Sequence, residues 1–219
     1  MRLKIALTSL ISFWMASLAA PALALDSIAI VESIQKQYDA TETFEARFVQ
    51  KSFMKILGQT QTAKGTVFIR KPGKMKWEYN APDPQVLVSN DQGLWLYLPE
   101  ERQVTKMKVE SVYSSNTPAL FLAGKGKLTQ SFNIGKVTEK DGIYRAELIP
   151  RDKLQNLSKM ILLANKNNFQ IVGSQVYDNL GNQTEMIFHD IKVNPVLKES
   201  LFHFEVPRGV EFIDLSAME

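Results

Sequence analysis

The two histidines come first in a search for chemistry, because imidazole serves as a general base or as a metal ligand. His189 precedes Asp190 in a predicted strand, and His203 lies near the C-terminus. Neither has a second ligand at metal-binding spacing, and no serine stands in a Gly-x-Ser-x-Gly turn. Residues 124–127 lack the full pattern of a phosphate loop. The sequence therefore predicts no enzyme, no metal site and no cofactor, and it predicts surface or edge positions for both histidines.

The first residues have the three parts of a secretory signal. Arg2 and Lys4 supply positive charge, residues 5–18 are apolar, and Ala22-Leu23-Ala24 offers small residues for cleavage. We predict a cleaved signal over 1–24 and a single mature domain over 25–219. An uncleaved membrane anchor is the alternative, which the short apolar stretch disfavours.

The chain has no cysteine, so it forms no disulfide and carries no lipid-modified N-terminal cysteine. Its own apolar core must therefore hold the fold together. Of the 26 Lys and Arg residues, two belong to the predicted signal, which leaves 24 against 23 acidic residues and a net charge near +1. With no basic run, this balance argues against nucleic acid as a partner.

Apolar spacing predicts one helix and then many short strands. An Asp26 or Ser27 cap begins an amphipathic helix over 27–38, with an apolar face formed by Ile28, Val31, Ile34, Gln35 and Tyr38. From Thr43 the period changes to two, which indicates about eleven antiparallel strands: from 43 onward, 60–70, 74–79, 85–89, 94–98, 103–109, 132–140, 143–149, 159–165, 170–177 and 183–193. Asp141-Gly142 is the strongest hairpin signal. We therefore predict a mainly β fold, a highly curved sheet or incomplete barrel.

Residues 116–124 form an apolar block within this run of strands. Thr117 suits an N-cap, Pro118 the first helical position and Gly124 the end, so the block predicts a short helix. It has no polar face and is too short to cross a bilayer. Either the protein's own core or a bound hydrophobic ligand must cover it.

The strand over 94–98 is apolar on both faces. Leu94, Leu96 and Leu98 alternate with Trp95 and Tyr97, so neither face is suited to water. Two interpretations remain open. The strand is covered by the N-terminal helix, or it forms a wall of a ligand cavity.

Several stretches resemble the outer-membrane lipoprotein carrier protein (LolA) family. They are the helix leading into 44–50, then 65–77, 87–90 with 94–97, 116–118 with the apolar block, and 202–210. The resemblance covers essentially the whole mature chain. It implies an unclosed antiparallel β-barrel with a helical lid over an apolar cavity, and both the 116–124 block and the N-terminal helix would belong to that lid.

The resemblance also implies a function. Such periplasmic chaperones accept outer-membrane-directed lipoproteins from an inner-membrane ATP-driven releasing complex, shield the acyl chains, and pass the cargo to an outer-membrane acceptor. We expect this protein to act in the same way, as a monomer in the periplasm. The residues that we expect to line the acyl-chain site are Phe44, Phe48, Val67, Ile69, Met75, Trp77, Leu120, Phe121 and Leu122.

The resemblance further implies that a basic residue before a proline at the end of the second strand, usually arginine in this family, ties the lid shut through hydrogen bonds to its backbone. Here that position is Lys71, with Arg70 just before it. Lysine is a point donor rather than a planar fork, so the latch is weaker or Arg70 replaces it. Because alternation puts the two on opposite faces, we favour Lys71; a solvated lysine at a strand end is the alternative.

Other functions remain open on the same scaffold. One is a periplasmic domain that senses lipids or lipoproteins without transporting them. An outer-membrane acceptor would need a cysteine at the cleavage site, where Leu25 stands. A hydrolase of exported lipid is a more distant alternative.

Overall fold

The secondary structure comes from a computed structural model that describes residues 26–108, 127–151 and 156–216. Helix α1 spans Ser27–Asp39, helix α2 is a single turn at Leu128–Ser131, and a 3-10 helix spans Glu199–Phe202. The strands are β1 (Thr43–Met54), β2 (Gln59–Arg70), β3 (Lys74–Ala81), β4 (Gln85–Asn90), β5 (Gly93–Leu98), β6 (Gln103–Met107), β7 (Phe132–Lys140), β8 (Ile143–Pro150), β9 (Leu157–Asn165), β10 (Ile171–Asp178), β11 (Gln183–Val193) and β12 (Glu211–Asp214). The predicted helix at 116–124 and the predicted signal lie outside the described residues.

All twelve described strands form one sheet, in the order β12-β6-β5-β4-β3-β2-β1-β11-β10-β9-β8-β7. Neighbours are antiparallel except for β12 and β6, which are parallel. The terminal strands β7 and β12 do not pair with each other, so the sheet curves without closing. The prediction of a mainly β, unclosed antiparallel barrel is confirmed. The additional strand is β12, whose four residues are too short for a pattern of alternation to reveal.

Helix α1 begins where its cap predicts. The Asp26 carboxylate accepts hydrogen bonds from the backbone N–H groups of Ile28 and Ala29, both at 3.1 Å, and so satisfies two donors that have no partner within the helix. One predicted core position is wrong, since Ile28 is 58% exposed. Ile30 is buried in its place, because it shares a face with Ile34 one turn later.

The Asp141-Gly142 turn joins β7 to β8 as predicted. Both residues have positive φ, 54° and 76°, which is the backbone that a two-residue hairpin requires. The strands then pair directly, with Lys140 opposite Ile143. Further along, the register shifts between Ile134 and Val137, and this bulge bends the terminal strand β7.

The concave face of the sheet packs around α1. Alternation directs every second side chain of each strand to this inner face, where α1 adds its own apolar face. The buried cluster that results is formed mainly by Val31, Ile34, Phe44, Phe48, Val67, Ile69, Met75, Trp77, Leu128, Leu148, Leu162 and Met186. This face is the protein's main core.

A second apolar layer lies on the outer face of β3–β5. After β11 the chain returns across this face as the segment 195–204, which we call the C-terminal strap. Phe204 packs its ring on Trp95 and Tyr97, with centroids 6.3 Å and 6.2 Å apart. The Asn90 amide donates a buried 2.8 Å hydrogen bond to the Phe202 carbonyl. The outer side of β5 is thus covered by the strap, which neither interpretation of this two-faced apolar strand anticipated.

Within 26–108, 127–151 and 156–216, no helix has the combination of length and apolar character that a membrane span needs.

Candidate functional site

The predicted acyl-site residues of β1, β2 and β3 all lie on the inner face. Strand register places Phe44, Ile69 and Met75 in one row across the three strands, and Val67 and Trp77 in the next. Together with Phe48, these side chains are at most 4% exposed. They form a continuous apolar surface beneath α1. The remaining predicted residues, Leu120, Phe121 and Leu122, lie outside the described residues.

Phe48 occupies the centre of this surface because its partner on β2 has no side chain. Gly65 stands opposite Phe48, and a Cβ there would lie 2.0 Å from the Glu78 carbonyl oxygen and 2.7 Å from the Phe48 ring. The ring thus lies over the strand and meets Trp77 and Tyr79 edge-on, with centroids 5.1 Å and 4.9 Å away. Glycine at position 65 is therefore a packing requirement.

Helix α1 packs against this surface. Val31 and Ile34 are fully buried in the same cluster as the strand residues. Among the described residues, a small cavity of about 20 Å³ lies at the C-terminal end of α1, lined by Tyr38, Thr41, Glu42, Thr43, Phe44, Ile69, Lys71, Gln170 and Ile171. That volume suits about one water molecule. This cavity by itself is therefore too small for a long acyl chain.

Lys71 connects the sheet to the end of α1. Its Nζ donates a hydrogen bond to the backbone carbonyl of Tyr38 and lies 3.3 Å from the centroid of the Tyr38 ring. Tyr38 is in the last turn, where the helix dipole favours a cation, and its carbonyl also accepts a 3.1 Å hydrogen bond from the Thr41 N–H. The lysine thus provides the contact that the sequence predicts for a latch, with α1 as the element it binds. Whether this contact latches a lid during function stays a prediction.

The environment of Lys71 is unusual for an ammonium group. Burial lowers its pKa from 10.5 to about 8, and the nearby Asp39 carboxylate opposes the shift. The positive charge is therefore kept at a desolvation cost while α1 is in place. Movement of α1 that admits water to Lys71 removes this cost.

Arg70 points to the other face of β2. Its guanidinium forms an ion pair with Glu199, donates a hydrogen bond to the Leu197 carbonyl, and lies 5.5 Å from the centroid of the Phe202 ring. All three partners belong to the C-terminal strap. In the described residues Arg70 therefore holds the strap, which makes it a poor candidate for the latch.

Two polar contacts that the sequence does not reveal also hold α1. The buried Gln35 side chain accepts a 2.7 Å hydrogen bond from the Leu128 N–H of α2 and donates one of 2.8 Å to Asp39. Beyond the helix, Asn194 donates to the Ala40 carbonyl at 3.2 Å and accepts from the Glu42 N–H at 2.8 Å. Gln35 is one of the predicted apolar-face positions of the helix, and Asn194 directly follows the predicted strand over 183–193.

The histidines lie outside this region. His189 and His203 are both exposed, as predicted, and His203 lies 3.6 Å from Glu205. Within the described parts of the chain, no three His, Asp or Glu residues come together in a way that would hold a metal ion.

Comparison with known proteins identifies the family. The model of the family described as outer membrane lipoprotein carrier protein LolA matches residues 39–205. An outer-membrane lipoprotein carrier protein of Pseudomonas paraeruginosa is 31% identical over 189 residues, which are 86% of this chain and 89% of that protein. One from Hahella chejuensis is 32% identical over 184 residues, covering 84% and 87% of the two chains.

A solved structure shares the fold at much lower sequence identity. An uncharacterized conserved protein of Thermus thermophilus superposes with a TM-score of 0.54 at 11% identity, covering 86% of this chain and 98% of that one. The similarity supports the open-barrel fold alone. The family match covers most of the described sheet, including the latch position and the inner-face residues of β1–β3. The chain therefore belongs to the outer membrane lipoprotein carrier protein family.

Proposed function

We propose that this protein carries lipoproteins across the periplasm, from the inner membrane to the outer membrane, and shields their acyl chains against its inner face. It takes the cargo from an ATP-driven releasing complex and gives it to an outer-membrane acceptor. It does so by binding alone, as a single domain over 25–219 that is exported by the signal at 1–24.

One observation carries the proposal: a helix covers the apolar inner face. Phe44, Ile69 and Met75 form a surface that suits a hydrocarbon chain, and α1 packs where such a chain would lie. Among the described residues, polar contacts hold α1 near its end through Lys71, Gln35 and Asn194, and at its start through the bond from the Val137 N–H to Ser27. The same apolar surface is therefore suited to pack against either the helix or a hydrocarbon chain.

The energetics favour exchange between helix and cargo. Burying one chain of about sixteen carbons gains roughly 12 kcal/mol at about 0.8 kcal/mol per methylene. Displacing α1 exposes Val31, Ile34 and their neighbours, each worth about 1.5–3 kcal/mol when fully buried. Because the empty protein already buries these residues when α1 is closed, opening α1 reduces the net free energy gained on cargo binding. An acceptor with only modestly higher affinity for the cargo is then enough to take it over.

A transfer assay tests the function directly. The purified protein is added to spheroplasts, and lipoproteins in the supernatant are identified by mass spectrometry and then offered to outer-membrane vesicles. Soluble lipoprotein that later appears in the vesicles supports a carrier. Binding without release or delivery would instead identify a lipoprotein sensor.

The neighbouring basic residues provide a matched pair of variants. We expect Lys71→Leu to weaken the closed state, because α1 loses a charge-assisted hydrogen bond of about 1.5–3 kcal/mol, and therefore to hold cargo more tightly and slow handover. Arg70→Leu removes a cation from the outer face and should leave handover near the wild-type rate. Equal transfer kinetics in the two variants would contradict a latch at Lys71.

A further inference from the structure

The inner face changes from apolar to polar along β1. After Phe44 and Phe48, alternation places Gln50 and then Ser52 on the same face. Register extends this polar region to the neighbouring strands, with Ser52 opposite Gln61 and Tyr79 opposite Gln85. A groove of about 100 Å³ opens here, lined by Gln50, Ser52, Gln61, Ala63, Tyr79, Pro82, Asp83 and Gln85. We call it the polar groove.

The side chains of the polar groove select for a neutral ligand. Most are amides and hydroxyls, and the Tyr79 hydroxyl donates to Gln50 Oε1 at 3.1 Å. Burial raises the pKa of Tyr79 to about 12, so it remains a neutral donor. The charged residue of the lining is Asp83, a carboxylate on the exposed rim. A phosphate or a free fatty-acid carboxylate finds no cation in this lining.

Two buried donors on the inner face have no hydrogen-bond acceptor within the part of the chain that the structure describes. Trp77 is 1% exposed and Ser174 is 4% exposed, yet neither Trp77 Nε1 nor Ser174 Oγ has a hydrogen-bond partner. The Trp77 ring lies between the apolar surface and the groove, 5.1 Å from Phe48 and 6.5 Å from Tyr79 by centroid. Buried polar groups normally have partners, so an unpaired donor on a ligand-facing surface indicates where a ligand acceptor belongs.

Ser174 lies in the same row of the sheet as Gln50. Met186 is opposite Gln50 on one side and opposite Ser174 on the other, so the three share the inner face of β1, β11 and β10. Along this row, the apolar side chain of Met186 separates Ser174 from Gln50. The apolar rows formed by Phe44 and Val67 lie on the side toward Lys71.

We propose that this polar region binds the uncharged head of the cargo lipid, where ester and amide carbonyls join the acyl chains to glycerol and cysteine. This inference rests on the proposed function and adds an orientation to it. Ester carbonyls accept hydrogen bonds and cannot donate them, so they complement Trp77 Nε1 and Ser174 Oγ. The acyl chains then run along the apolar rows toward Lys71.

Two lipopeptides test this orientation. One is a tripalmitoyl-S-glyceryl-cysteine peptide, and the other is identical except that its glycerol chains are joined by ether bonds, which remove the two ester carbonyls. Their affinities for the full mature protein are measured by displacement of a fluorescent fatty probe. We expect wild-type protein to prefer the ester peptide on the order of tenfold, the contribution of a hydrogen bond to a buried donor.

Single substitutions show which residues cause the preference for the ester peptide. Trp77→Phe and Ser174→Ala should each reduce the ratio of ester to ether affinity toward one. Phe44→Leu, a change in the apolar rows, should weaken both peptides and leave the ratio at its wild-type value. Because Trp77→Phe alters a core residue, near-UV circular dichroism checks its fold, and Ser174→Ala provides the test with a smaller change.

The outcomes separate this inference from the proposed function. Wild-type protein that binds both peptides equally, or variants that retain the full preference, would overturn the polar site while leaving the carrier function intact. Wild-type protein that binds neither peptide would overturn both.

Discussion

Two layers cover the two faces of the sheet, and two adjacent residues hold them differently. On the inner face, Lys71 meets the end of α1 through one carbonyl and one ring. On the outer face, Arg70 shares Glu199 with Lys74 and holds the strap, whose Phe204 packs on β5 and whose 3-10 helix lies against β3 and β4. In the proposed function the inner cover competes for space with the cargo, whereas the outer one packs on the sheet and has no such competitor. We infer that the strap is a permanent part of the structure and α1 an exchangeable one.

The largest effect should come from the outer layer. Phe202 of the strap is 2% exposed, so Phe202→Ala should lower the free energy of unfolding by about 3–5 kcal/mol, as expected for loss of a buried ring. Urea denaturation measures it. Phe212 is 46% exposed on β12, and Phe212→Ala is the matched control, with an expected change of about 0.5 kcal/mol. Similar losses in the two variants would mean that the strap contributes little to stability.

A smaller effect should appear in the pH dependence of α1 opening. The Lys71 pKa is about 8 with α1 in place and near 10.5 when water reaches it, so between these values the open form binds more protons. Opening is therefore insensitive to this group below pH 8 and becomes less favourable as the pH rises above 8, by up to tenfold per pH unit.

Förster resonance energy transfer between two fluorescent labels, one on α1 and one on the sheet, measures this opening. Because the chain has no cysteine, labels attach only at introduced sites such as Glu32→Cys on α1 and Lys140→Cys on β7. Lys71→Met should abolish the dependence above pH 8. A dependence that survives in Lys71→Met would assign the effect to another group.

The smallest effect should come from the ion pairs of the strap. Glu199 binds Arg70 and Lys74, and the Lys74 hydrogen bond, followed by the charges of both cations, lowers the pKa of Glu199. Its side chain is largely exposed, so Glu199→Gln should lower the free energy of unfolding only slightly, and by less than the change of the buried Phe202. Unfolding in low and high salt should show the difference between variant and wild type shrinking with ionic strength. A large loss that does not depend on salt would mean that Glu199 has a packing role.

The strands were predicted well because alternation and turn chemistry depend only on residues that are close together in the sequence. Strands β7 and β11 have the predicted limits, and the inner-face residues from Phe44 to Trp77 follow directly from the period of two. Alternation reveals that a face is apolar, but it does not reveal what covers that face. For this reason the strap over Trp95 was missed, although Phe202 and Phe204 lay within a recognised stretch.

The candidate site could be predicted only in part, for a related reason. The apolar positions and the choice of Lys71 over Arg70 came from residue types and strand faces. The acceptor on Tyr38, the bond from α2 to Gln35 and the cap by Asn194 depend on contacts between distant parts of the chain. The polar groove was detectable in principle, because Gln50 and Ser52 continue the alternation of Phe44 and Phe48 with a change of chemistry.

The described sheet ends in two edge strands, β12 and β7, and an edge strand presents backbone groups that can pair with a strand of another molecule. Strand β12 discourages this, since it has only four residues and begins and ends with carboxylates. Strand β7 is bulged, its Val137 N–H is bonded to Ser27, and Arg151 binds the Phe132 carbonyl. A second copy of the protein is therefore poorly able to pair a strand with either β7 or β12. Such protection lets a barrel stay open at high concentration without polymerising, and sedimentation should find single molecules.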